Sequence, residues 1–175
     1  GSAAQGVYLG ALLALLGGGG FLVVRQVLVR RELEEAAKDL GERVRAEAAS
    51  AEDYFELGVV LLRKRLYTAA IANLRKALEG WEGEEQDKAQ VHNAIGFALF
   101  QQQKYAPAID EYVQATSLQP GYITAWNNLG DAYEKADRLK DALSAYEEAL
   151  AYAPGNKVAN ERAQFLRDRI KLLRL

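Results

Sequence analysis

The chain has 175 residues, with 22 Lys and Arg against 24 Asp and Glu, a formal charge of -2, one His and no Cys. The missing thiols exclude a disulfide scaffold, thiol catalysis and cysteine-held zinc or iron–sulfur centres, and a lone His leaves too few imidazoles for a histidine-rich metal site. The near-neutral total also differs from that of nucleic-acid binders, which gather a strongly basic face.

Charge is distributed unevenly along the chain. Residues 1–24 carry none, 25–50 balance both signs, 51–156 are acidic and 157–175 are basic. As a helix the uncharged stretch rises about 36 Å, enough to cross a hydrocarbon core of about 30 Å. Its apolar residues, among them Val7, Leu9, Leu12, Leu13, Leu15 and Leu16, fall on every side and leave no polar face for lying on a membrane. Arg25, Arg30 and Arg31 follow the run rather than precede it, unlike a cleaved secretory signal, so 1–24 reads as one uncleaved transmembrane anchor. The positive-inside rule then puts the rest of the chain in cytosol or stroma. Gly6, Gly10, Ala14 and Gly18 recur every four residues and form a ridge of small side chains suited to packing on a partner's membrane helix, although such residues are also common in spans generally. The chain contains no Met, which suggests a start trimmed by processing or cutting.

Residues 25–50 are mostly helix formers of mixed charge and predict a solvated connecting helix. Ser50, followed by Ala51, Glu52 and Asp53, is an N-cap with acids in the first turn. From there the sequence repeats. Tyr54-x-x-Leu57-Gly58, His92-x-x-Ile95-Gly96 and Trp126-x-x-Leu129-Gly130 place their glycines 38 and 34 residues apart. Leu61, Leu99 and Tyr133 hold register, as do Tyr67, Tyr105 and Leu139, then Ala70, Ala108 and Ala142, and Ala77, Ala115 and Ala149. Pro120 and Pro154 close the second and third units. These are tetratricopeptide marks, and they define three helical hairpins over 51–84, 89–122 and 123–156. In each hairpin the Gly of the first helix is expected to touch the Ala of the second. The fold class is therefore all-α, with a membrane helix, a three-repeat solenoid and a capping helix over 157–175, where Val158, Phe165, Leu166, Ile170, Leu172 and Leu173 keep helical spacing. The acidic connection from Glu79 to Asp87 contains Trp81, read either as a lip for a basic partner or, preferably, as a cover on the neighbouring core.

Solenoids of this kind bind through a concave face lined by the first helix of each unit. The candidates there are Phe55, Val59 and Leu62; Asn93, Phe97, Phe100 and Gln101; and Asn127, Asp131, Glu134 and Lys135. Phe97 and Phe100 matter most, as large apolar groups that need a partner to cover them, unless the chain's own N-terminal helix fills the groove. Co-chaperones of this class clamp a terminal carboxylate with Lys, Asn and Arg; Phe55, Val59, Ala94, Thr124 and Asn128 stand in those places, so the clamp is missing. Arg162, Arg167, Arg169, Lys171 and Arg174 form a basic tail face suited to anionic lipid or an acidic subunit, or simply to the helix dipole. His92 occupies a packing position, and no nucleophile elbow or carboxylate pair suggests an enzyme. No cofactor or metal site is expected.

The uncharged span ending Phe21-Leu22-Val23-Val24-Arg25-Gln26-Val27-Leu28, the charged helix, and repeats including Tyr54-Phe55-Glu56-Leu57-Gly58 and Ala125-Trp126-Asn127-Asn128-Leu129-Gly130 together resemble the thylakoid tetratricopeptide factors that assist photosystem I assembly in cyanobacteria and chloroplasts. The resemblance implies a non-catalytic, single-pass thylakoid protein with its repeats in the chloroplast stroma or cyanobacterial cytoplasm. Its implied partners are the photosystem I core membrane subunits, the stromal iron–sulfur subunit and other assembly factors. The alternative is a general membrane-tethered scaffold unrelated to photosynthesis.

Overall fold

The computed structural model describes residues 2–45 and 49–174, with side chains from residue 21 onward. Every extended element is a helix: α1 (Ser2–Arg43), α2 (Ala51–Arg63), α3 (Tyr67–Glu79), α4 (Lys88–Gln101), α5 (Tyr105–Leu118), α6 (Ile123–Lys135), α7 (Leu139–Tyr152) and α8 (Lys157–Leu173). Each helix from α2 onward packs against its chain neighbours, and the first helices of the hairpins, α2, α4 and α6, also meet one another along the inner face. That arrangement is an open helical-hairpin stack, and α8 lies against α7 at its end with Ala159, Ala163 and Leu166 buried.

The recurrent residues hold the stack together. Ala70, Ala108 and Ala142, and Ala77, Ala115 and Ala149, are all fully buried. The glycines behave differently from the expectation. The groups nearest Gly58, Gly96 and Gly130 are the side chains of Leu74, Tyr112 and Tyr146, where a Cβ would come within 2.6, 2.7 and 2.5 Å. Each partner lies 16 residues after its glycine, not 12. The glycine thus makes room for a large side chain crossing between the two helices, while the alanines set the helix spacing elsewhere. Tyr112 and Tyr146 are the largest fully buried side chains in the stack.

The boundaries follow from local chemistry. Ser50 caps α2 in a reciprocal box: its Oγ accepts from the Asp53 amide at 3.1 Å, and its own amide donates to Asp53 Oδ2 at 3.0 Å. That amide, the Ser50 hydroxyl and the adjacent Arg43 guanidinium hold the Asp53 carboxyl below its ordinary range, outweighing the opposing effect of burial. Within the hairpins, the turns place Arg65, Gln103 and Asp137 at φ 60°, 60° and 57°, three non-glycine residues in the left-handed region at equivalent repeat positions. Beyond the hairpins, Trp126 Nε1 donates to the Pro120 carbonyl at 2.8 Å and Asn160 Nδ2 to the Pro154 carbonyl at 3.0 Å, so both prolines sit in connections stitched to the next helix. The first unit lacks such a proline and instead leaves through a short 3-10 turn at Glu85–Asp87.

The long helix α1 would measure about 63 Å and runs without interruption from the uncharged stretch into the charged one. Its second half packs antiparallel on α2, burying Leu40 and pairing Glu34 with Lys64 (2.7 Å) and Arg43 with Asp53 and Glu56. The connecting segment is therefore partly docked rather than wholly solvated. Among the described residues its packing is on α2, with none of comparable extent on α4 or α6. Among residues with described side chains, no helix is long and apolar enough to cross a membrane. The expected anchor at 1–24 and the ridge of Gly6, Gly10, Ala14 and Gly18 fall almost wholly or wholly outside those residues.

Candidate functional site

The concave face is formed by α2, α4 and α6, and the repeat spacing delivers one polar or aromatic position from each helix to the same side. Between α4 and α6 is a cleft of about 120 Å³ lined by Phe97, Phe100, Gln101, Tyr112, Asn128 and Asp131. Four residues expected from the sequence meet here: Phe97, Phe100, Gln101 and Asp131. Phe97 is 39% exposed. Phe100 is half-buried, packed against the core and edge-on to Tyr105 with ring centroids 5.4 Å apart. Of these two rings, Phe97 is the one presented to the cleft as an exposed apolar group.

The other expected residues are used in other ways. Phe55 packs edge-to-face on Trp81 at 6.2 Å, and Phe55 and Leu62 both lie on the core cluster; Trp81 is thus a cover for the first repeat rather than a protruding lip. Val59 is half-buried on α2. Asn93 is a tie between repeats, since its Oδ1 accepts from Asn128 Nδ2 at 2.9 Å and its Nδ2 donates to the Tyr122 hydroxyl at 3.2 Å. Asn127 Nδ2 donates to Asn156 Oδ1 at 3.3 Å, across to the cap of α8. Lys135 is exposed at the end of α6.

Asp131 and Glu134 form the acidic end of the face. The Tyr146 hydroxyl donates to Asp131 Oδ1 at 2.6 Å and lies 3.0 Å from Glu134 Oε1. Arg162 grips Glu134 with two nitrogens, its Nε at 3.0 Å from Oε1. Burial, then the neighbouring carboxylates, push the Tyr146 phenol far above its ordinary range, and burial with the Asp131 charge does the same to Tyr112. Both phenols stay neutral, and that of Tyr146 donates to the carboxylates. Glu134 is fully engaged by this network, whereas Asp131 remains exposed at the cleft.

This network also revises the basic tail. Arg162 is half-buried and bound to Glu134, and its guanidinium lies over the Phe165 ring at 4.9 Å. Arg167 pairs with Glu147 at 2.9 Å. Arg169 and Lys171 on α8, and Arg174 just past its end, are exposed and have no carboxylate oxygen within 4.0 Å among the described residues. His92, at its packing position, is half-buried, and its Nδ1 stands 2.7 Å from Glu111 Oε2, with Arg75 at 4.0 Å from the other oxygen. The side chains that sequence reasoning missed are Tyr112 and Asn128, which line the cleft. Tyr112 had a legible signal in its recurrence with Leu74 and Tyr146, each 16 residues past a glycine.

Hairpins of this length, stacked in register around small residues at fixed positions and presenting a lined concave face, define a tetratricopeptide-repeat protein. Family models described as TPR repeat and tetratricopeptide repeat match residues 96–137, 123–156 and 27–85. The chain belongs to the ycf37 family: it is 34% identical over 149 residues to the ycf37 protein of Guillardia theta, covering 85% of this chain and 84% of that one. It is also 53% identical over 165 residues to the chloroplastic tetratricopeptide repeat domain-containing protein PYG7 of Arabidopsis thaliana, covering 94% of this chain and 55% of that protein, so it spans about half of that relative's length. Among solved structures, a crystal structure of MamA superposes with a TM-score of 0.74 at 22% identity, covering 82% of each chain, which is a likeness of fold.

Proposed function

We propose that this chain is a membrane-anchored scaffold that helps to assemble or stabilise photosystem I, holding partner polypeptides without making or breaking a bond. The observation that carries the binding role is Phe97, an exposed aromatic ring beside a cleft on the concave face of a repeat stack. Asp131 at the same cleft supplies an acceptor, which suits a partner segment that brings an apolar side chain next to a donor or a cation. The photosynthetic role draws on identity to a chloroplastic relative and on the resemblance of the junction Phe21-Leu22-Val23-Val24-Arg25-Gln26-Val27-Leu28.

In this reading residues 1–24 span the thylakoid membrane and the repeats face the stroma or cyanobacterial cytoplasm. The partners are the photosystem I core membrane subunits, the stromal iron–sulfur subunit and other assembly factors. Gly6, Gly10, Ala14 and Gly18 pack on a partner's membrane helix. The test is native electrophoresis of detergent-solubilised thylakoids: the chain comigrates with immature photosystem I, and a Phe97→Asp chain does not. Comigration with an unrelated complex, unaffected by the substitution, would reject the proposal.

A further inference from the structure

The first hairpin turn brings a second feature to α1. A cleft of about 680 Å³ lies between residues 22–34 of α1 and the turn at Arg63–Arg65. Arg25 and Arg30 line it from one side, and Arg63 and Arg65 from the other. Its acid, Glu34, is held by Lys64 Nζ at 2.7 Å, which both neutralises it and fastens the turn to the helix. Among the described residues none of the four arginines has a carboxylate oxygen within 4.0 Å. The cleft therefore carries concentrated positive charge that the protein itself leaves uncompensated.

The wall is mixed, since Leu22, Val29 and Leu33 line it as well as the arginines. Next to it, α1 exposes Phe21 at 68%, Val23 at 60% and Leu28 at 53%. A guanidinium-lined cleft opening directly onto a bare apolar helix matches one kind of molecule, a negatively charged headgroup joined to hydrocarbon. An acidic peptide would satisfy the arginines and bring no hydrocarbon to Leu22 and Val29. A free anion would leave Leu22 and Val29 uncovered.

We propose that this cleft binds the phosphodiester headgroup of an anionic lipid, with the acyl chains leaving it past the exposed apolar residues 21–24, on the side where the uncharged run lies. This rests on the membrane reading of residues 1–24 and adds a headgroup preference to it. The bound lipid would bridge α1 and the first hairpin, fixing the repeat stack at a set height over the membrane surface. Arg63 and Arg65 are far in sequence from the apolar run, so it is the tertiary packing that brings their charge to the level where that run ends.

The experiment uses the full chain in two measurements. Flotation with liposomes of phosphatidylcholine alone reads the anchor, and native mass spectrometry after extraction from liposomes containing phosphatidylglycerol reads the retained lipid. The unaltered chain floats in both and keeps phosphatidylglycerol in preference to phosphatidylcholine. Arg63→Gln with Arg65→Gly still floats and loses that preference by about 30-fold, the combined effect of two basic groups at a lipid surface; glycine suits the left-handed backbone at position 65. Arg25→Gln with Arg30→Gln, on the opposite wall, gives the same loss without touching the turn. Flotation with no headgroup preference, or with a preference that both double variants retain, overturns the lipid site and leaves the anchor standing. Failure to float in neutral liposomes overturns both. Loss of photosystem comigration in these variants, with lipid retention intact, would assign the cleft to an acidic protein segment and overturn the proposal as well.

Discussion

Gly130 lies directly beneath the ring of Tyr146: a Cβ at that glycine would stand 2.5 Å from Cζ, on a side chain whose hydroxyl is already tied to Asp131 and Glu134. The ring has no easy direction of retreat, since moving it would break the bonds at its far end. This contact joins the packing of the third hairpin to the acidic end of the concave face.

Gly130→Ala is therefore expected to destabilise the fold by about 1–3 kcal/mol, the usual cost of overpacking, despite the helix propensity gained by alanine. Gly155→Ala, where no atom lies within 4 Å of the added carbon, should change stability by less than about 0.5 kcal/mol. Urea unfolding of the two variants checks the contrast, and equal midpoints would show that the ring moves freely.

The two buried phenols predict an alkaline limit. In the folded chain Tyr112 and Tyr146 ionise only well above the ordinary value of about 10, so above that pH the unfolded chain releases protons that the folded chain retains. Stability is then full below about pH 10 and falls as pH rises beyond it. The double variant Tyr112→Phe with Tyr146→Phe, whatever its stability at neutral pH, should show a shallower decline over that range when unfolding is followed by circular dichroism.

Gln103 occupies a left-handed backbone position that an unbranched side chain tolerates only at a cost. Gln103→Gly should raise stability by up to about 1 kcal/mol. Asp137→Gly should gain less, because aspartate visits this region more readily. Thermal unfolding of the two variants reads the order, and a loss at Gln103 would mean that its side chain makes a contact worth more than the strain.

The two phenylalanines of the cleft should separate. Phe97→Asp removes an exposed ring and is expected to leave the unfolding midpoint nearly unchanged while abolishing partner capture. Phe100→Ala takes away a half-buried ring packed on Tyr105 and the core and should cost about 1–3 kcal/mol, less than a fully buried ring would. Should Phe97→Asp be the more destabilising, the exposed ring would belong to the core and the groove reading would fail.

The sequence alone was enough for the hairpin stack, because each unit must bury the same face against its neighbour and so repeats the same small and large residues at Gly58, Gly96 and Gly130 and at Ala70, Ala108 and Ala142. It also marked which helix faces would line the groove, since that follows from helical spacing alone. What each side chain does there depended on partners remote in sequence. Glu134 looked available until Arg162 arrived from α8, 28 residues on, and Phe55 looked exposed until Trp81 folded over it. The arginines of the first turn reach the end of the apolar run only because α2 runs back along α1, with Lys64 meeting Glu34 across 30 residues. Periodicity specifies a face, whereas the pairing of charges and rings across helices is decided by the distances that packing brings about.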